Sequence, residues 1–157
     1  MSYSKTRRAL SEGSQVRQMQ LLWPEFDYQL RQNGWHDWRG PLKPISRTYI
    51  VDVLWHHVEA SQPYVVLSDP ALRPREGGDF SEIPHLYPNE SCPERSPLCL
   101  FDPEGGEWKA GQAIARTTIP WASEWLMYYE LWLVDGVWRG AGVGLESVAE
   151  MRRAGVY

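Results

Sequence analysis

The sequence predicts an α+β domain, with an antiparallel meander of short strands between an N-terminal helix and a longer helix. Three observations predict it. Short β-branched and aromatic runs follow one another with no helical pattern between them, which suits hairpins rather than crossover helices. Before them, apolar residues recur at helical spacing. After them comes a stronger helical pattern, opened by Thr117-Thr118 and closed by Gly136.

From Ser4 to about Arg31 the chain is polar and tolerant of helix, and Val16, Met19, Leu22 and Phe26 share a helical face. Pro24 must break or restart that helix, because it has no N–H to donate. Asn33-Gly34 marks a turn. Trp35 to Gly40 reads as a short aromatic strand, Thr48 to Trp55 as a β-branched one, and Tyr64 to Leu67 as a third apolar run. Residues 68–98 read as irregular, with Pro70, Pro74, Pro84, Pro88, Pro93 and Pro97 and the pair Gly77-Gly78. A loop this long inside a compact domain usually serves function. It delivers the chain to Leu98-Cys99-Leu100-Phe101. The second helix has hydroxyl residues at its start, Pro120 in its first turn and Gly136 at its end. Trp121, Trp125, Tyr128 and Trp132 share its face, widened by Leu126, Tyr129 and Leu133. Gly140, Gly142 and Gly144 form a joint, and Leu145 to Arg153 reads as a last short helix. With no repeat, residues 1–157 are expected to form one domain.

The charge balance narrows the partners. Sixteen Lys and Arg against twenty Asp and Glu give a net charge of −4, the wrong sign for a phosphate-binding surface. The one basic cluster, Lys5, Arg7 and Arg8, reads as a solvated end. Ile119 to Val134 is too short to cross a bilayer and holds Ser123, Glu124 and Glu130. Two cysteines are too few for a disulfide scaffold. The expectation is a soluble cytoplasmic protein, with neither nucleic acid nor membrane as partner and no cofactor. Nine tryptophans and eight tyrosines suit both a core and an interface.

Cys99 is the first candidate for chemistry. A thiol is nucleophilic even when only a small fraction is ionised. Acyl carriage needs an accessible thiol and donors that steady the carbonyl oxygen. The competing reading is a small buried hydrophobe. His85, fourteen positions earlier, either orients the loop or acts as a base. His85, Cys92 and Cys99 are each seven apart and His56-His57 add nitrogen, but zinc sites favour pairs two to four apart, so no metal site is expected. Cys92 reads as an incidental loop residue. The chain has no Walker-type phosphate loop and no dinucleotide fingerprint.

Taken in order, these signals resemble the ubiquitin-conjugating enzymes. They are a helix, antiparallel strands, a proline-rich loop with His85, then Leu98-Cys99-Leu100, Trp108 and a long helix. The closer resemblance is to the bacterial branch found in antiphage signalling operons of the cyclic-oligonucleotide type (CBASS). It rests on His85-Leu86-Tyr87, Leu98-Cys99-Leu100-Phe101, Trp108, Ile119-Pro120-Trp121, Glu124-Trp125-Leu126, Tyr129-Glu130, Trp132-Leu133, Gly136 and Trp138, and covers roughly residues 46–140. The resemblance implies a ubiquitin-conjugating enzyme fold. It also implies that Cys99 receives the C-terminal tail of a cyclic-nucleotide synthase, a nucleotidyltransferase related to animal cyclic GMP-AMP synthases, as a thioester. The tail is then passed to an amine, which primes the synthase. Longer relatives carry an activating domain, so this chain is expected to be the stand-alone form, and self-association is left open.

Within that reading His85 orders the active loop. Asp102 is a candidate to take the proton of an incoming amine, and is read equally well as a turn residue before Pro103. Trp108 and Trp121 are expected to pack the active loop onto the long helix. The sequence departs from the eukaryotic His-Pro-Asn tripeptide, since Leu86-Tyr87 stand where Pro-Asn would be and Asn89 comes two positions late. Another donor, a backbone N–H or Tyr87, must then steady the oxyanion. The Ser91 to Arg95 segment lengthens the loop beyond the family's usual spacing. Two other readings stay open. One is a non-catalytic binding module of the same fold that regulates the nucleotidyltransferase. The other is an unrelated cysteine or zinc hydrolase.

Overall fold

The computed structural model describes residues 8–60, 62–100 and 108–140. Helix α1 spans Glu12–Leu22, strands β1 to β4 span Asp27–Leu30, His36–Leu42, Tyr49–Trp55 and Tyr64–Asp69, and helix α2 spans Thr118–Asp135. The four strands form one antiparallel sheet in the order β1-β2-β3-β4. This is the expected α+β meander between an N-terminal helix and a long one, consistent with a ubiquitin-conjugating-like fold. The expected helix over Leu145 to Arg153 lies outside the described residues.

Alternation along β3 builds the core. Tyr49, Val51, Val53 and Trp55 point inward and are buried, and they meet Trp38 and Leu42 of β2 and Val65 and Leu67 of β4. Gly40 belongs to the same layer for a steric reason. A Cβ there would lie 2.4 Å from the Phe26 ring, so the ring covers the strand only because glycine is beneath it. The β1–β2 turn has Gly34 at φ +86°, which an L side chain rarely adopts.

α1 opens with Ser11 as N-cap, whose hydroxyl accepts the Ser14 N–H at 3.1 Å. Its buried residues are Gln15 and Met19, with Val16 packed beside them, whereas Leu22 of the expected stripe is 43% exposed. Gln15 can be buried because both ends of its amide are satisfied. Its Nε2 donates to the Gln112 carbonyl at 2.9 Å, and its Oε1 accepts the Ile114 N–H at 2.9 Å. The helical reading to Arg31 runs too far. The helix ends before Pro24, and Asp27–Leu30 is extended because it pairs with Arg39 to His36 of β2, a tertiary constraint that local propensity does not carry.

α2 is buried on most of its circumference, including Ile119, Ala122, Trp125, Leu126, Met127, Tyr128, Tyr129, Leu131 and Trp132. It ends as the sequence suggests, at Gly136 with φ +76°. Its start differs. Thr117 makes no side-chain cap, and its hydroxyl donates back to the Ala113 carbonyl at 2.8 Å. No described helix is long and apolar enough to cross a membrane.

Charge and ring stacking join α1 to the sheet. His36 is 3% exposed, with its ring stacked between Tyr28, Trp38 and Trp55. Its Nε2 meets Glu12 Oε1 at 2.8 Å and its Nδ1 meets the Tyr28 hydroxyl at 2.8 Å. Glu12 also pairs with His57 Nδ1 at 3.0 Å. The hydrogen bond from His36, aided by His57, holds the Glu12 carboxyl below its usual range. A depressed carboxyl stabilises the folded state above its ordinary range, and the contribution is lost as pH falls through the folded value. Glu12→Gln is therefore expected to lower the thermal midpoint near neutral pH, with the gap from wild type closing below about pH 4, as read by calorimetry across pH.

Candidate functional site

The irregular stretch before Cys99 is organised as a narrow extension of the sheet. The Leu98 N–H donates to the Val65 carbonyl of β4 at 2.8 Å, so residues 97–99 run along that strand's edge. Leu86 then pairs with Leu98 in an antiparallel bridge. The flanking bonds are Tyr87 N–H to Pro97 O and Cys99 N–H to His85 O, both 2.9 Å. In this pattern residue 85 lies opposite residue 99 and residue 87 opposite residue 97. Residues directly opposite in an antiparallel pair have Cβ atoms about 5 Å apart. Leu98 is buried at 3% and Leu86 packs against the core, whereas Cys99 is partly exposed and in no disulfide.

α2 secures this extension from the other side. The Trp125 indole N–H donates to the His85 carbonyl at 3.0 Å, the oxygen that also receives the Cys99 N–H. One acceptor thus ties the strand carrying Cys99, the loop carrying His85 and the centre of α2. His85 has φ +53°, an uncommon conformation for a residue with a Cβ. The sequence reading gave the packing of this loop to Trp108 and Trp121. Trp125 makes the hydrogen bond, and because Trp121, Trp125 and Trp132 share one helical face, their spacing gives no means of choosing among them. Trp108 is buried edge-on against Trp55 at 6.2 Å, and Trp121 is half-buried against the core. Tyr87 is 38% exposed, and its hydroxyl accepts from Gln62 Nε2 at 3.3 Å. Asp102 lies outside the described residues.

The lengthened segment between His85 and Cys99 has its own internal order. Asn89 Oδ1 accepts from the Ser91 hydroxyl at 2.9 Å and from the Cys92 N–H at 3.2 Å, an Asx-type turn. The Asn89 N–H donates to Ser96 Oγ at 3.1 Å, and that hydroxyl donates to the Pro93 carbonyl at 2.7 Å. Arg95 fastens the segment to the sheet's outer face, 3.5 Å from Asp52 Oδ2, with Arg39 3.9 Å from the other oxygen. Asp52 and its neighbour Val66 are buried there.

The Cys92 Sγ donates to Glu94 Oε1 at 3.1 Å, and that hydrogen bond, more than desolvation or charge, pushes the thiol's pKa up. Among the described residues no group of three or more His, Cys, Asp or Glu side chains is placed to hold a metal ion. A raised thiol pKa means less thiolate at neutral pH, so Glu94→Gln is expected to speed alkylation of Cys92 by iodoacetamide several-fold near pH 7.5. Peptide mass spectrometry reads each cysteine separately.

Among curated proteins none matches the chain. The family model described as "Type II CBASS E2 protein" matches residues 15–145, a span that includes most of α1, the whole sheet, the His85–Cys99 extension and α2. The chain belongs to the family of type II CBASS E2 proteins.

Proposed function

We propose that Cys99 carries the C-terminal tail of a CBASS cyclic-nucleotide synthase as a thioester and passes it to an amine. The observation that carries this reading is a partly exposed Cys99, in no disulfide, on a backbone fixed by the His85 carbonyl. In the first step the sulfur attacks the carbonyl carbon of an activated acyl donor, itself a thioester or a mixed anhydride of the tail. The thiol proton passes to solvent, and the donor's leaving group departs with its electron pair. In the second step an amine attacks the thioester carbonyl, an amide forms, the amine loses a proton and Cys99 leaves as the thiol. Both steps pass through an oxyanion that needs hydrogen-bond donors.

Tyr87 is the side chain we assign to that need. Its residue is diagonal to Cys99 across the Leu86–Leu98 bridge, a separation within reach of a long aromatic side chain. The Gln62 amide donates to its oxygen at 3.3 Å, and a phenol can accept and donate at once. Asp102 is assigned the amine's proton.

Purified chain and its operon's synthase are expected to form a thiol-reducible adduct when an activated tail is supplied. Cys99→Ala should abolish it, Cys92→Ala should keep it, and Cys99→Ser should give an ester that resists thiols. Intact mass spectrometry checks all three. Undiminished phage protection by Cys99→Ala would instead identify a non-catalytic binding module.

A further inference from the structure

The aromatic residue against His85 comes from beyond the end of α2. After the left-handed turn at Gly136, the chain doubles back and sets the Trp138 ring 5.5 Å from the His85 ring, 5.3 Å from Trp125 and 5.9 Å from Tyr128. A closed clasp holds this strap. Asp135 Oδ1 accepts the Val137 N–H at 2.9 Å, its carboxylate pairs with the Arg139 guanidinium, and that guanidinium also donates to the Val137 carbonyl at 3.3 Å. Gly140 completes it, since a Cβ there would lie 2.5 Å from the Trp138 indole nitrogen.

A helix can stop at glycine without this apparatus. We propose that the strap is a positioning device for the chemistry of Cys99, with Trp138 ordering His85 and, through it, the backbone that presents the thiol. Two features of His85 require such a device. Its left-handed backbone persists only where the surroundings over-determine it. The hydrogen bonds from Cys99 and Trp125 fix its carbonyl but leave the ring undetermined, and the residue is exposed. Trp138 supplies the missing constraint, because it touches both the imidazole and the tryptophan that holds the carbonyl. Trp138 is thus a positioning residue that acts through His85. This inference rests on the proposed role of Cys99.

The test compares Trp138→Ala, Trp138→Phe and Arg139→Ala in the full chain. In Trp138→Ala the maximal rate of Cys99 adduct formation is expected to fall roughly tenfold, with the half-saturating synthase concentration changed less than about twofold. Trp138→Phe restores most of the rate, and Arg139→Ala, which loosens the clasp and leaves the ring, gives an intermediate loss. The His85 imidazole proton resonances report the contact directly. They are displaced by the indole ring current in wild type and return toward free histidine in Trp138→Ala. A wild-type rate in Trp138→Ala, or a His85 resonance unmoved by it, overturns the proposal. If Trp138→Ala fails to fold, a normal rate and normal His85 resonance in Arg139→Ala overturn it instead. Absence of any wild-type adduct is a failure of the proposed function. It is distinguishable, because the imidazole resonance still shows whether Trp138 orders His85.

Discussion

One carbonyl oxygen holds the Cys99 region together. The His85 carbonyl accepts the Cys99 N–H and the Trp125 indole N–H, so the sheet edge, the proline-rich loop and α2 meet at a single atom. A carbonyl has two lone pairs, and both are committed here. The two bonds approach from different elements, so neither the loop nor the helix can shift without breaking one of them. Losing one would cost on the order of 1 kcal/mol, a modest sum against overall stability. Its larger effect is on where the thiol sits, because among the described residues this is the bond that ties the Cys99 backbone to the loop.

The outer face of the sheet carries the opposite end of the same loop. Asp52 sits on the strand that otherwise alternates apolar side chains into the core, and it is buried although it points outward. A carboxylate in that setting needs partners, and it has two guanidiniums, Arg39 from the neighbouring strand and Arg95 from the inserted segment. The insertion thus serves as a cover for Val66 and Asp52. The proline-rich sequence looks irregular, but Asn89, Ser96 and Asp52 give it fixed attachment points. The Asn89 side-chain oxygen is spent on that internal turn, so the residue serves the shape of the loop.

What was legible in the sequence follows the range of the interactions. The start, length and end of α2 are written in Pro120 and Gly136, because a proline in the first turn and a left-handed glycine act locally. Strands β3 and β4 are written in β-branched runs. β1 is not, because Asp27–Leu30 is polar and extended only through its partner strand. The buried face of α1 was read only in part, for a related reason. Gln15 is inside because two backbone groups nearly a hundred residues away complete its amide, and no periodicity reports that. At the candidate site, Cys99 and His85 were legible as residue types and as parts of a family pattern. That His85 would serve through its carbonyl, and that Trp125 would be the tryptophan to meet it, depend on the α2–loop docking and leave no local mark.

The substitution of Leu86-Tyr87 for the Pro-Asn of the eukaryotic enzymes changes what the loop can do. Leu86 fills that place as an ordinary strand residue, bridged to Leu98 and packed on the core, with the two ladder bonds donated by its neighbour Tyr87 and by Cys99. The strand pairing that results sets Tyr87 on the opposite side from Leu86, since successive residues alternate. There it is exposed and hydrogen-bonded to Gln62 at the head of β4. The pair Leu86-Tyr87 thus gives a regular strand pair and a phenol hydrogen-bonded from the turn that precedes β4. Rigidity that a proline would supply covalently is supplied by the bridge to Leu98 and by tryptophans of α2 and its strap. Part of the aromatic richness of this small chain is concentrated there, because Trp125 and Trp138 meet each other and each meets His85, one at its carbonyl and the other at its ring.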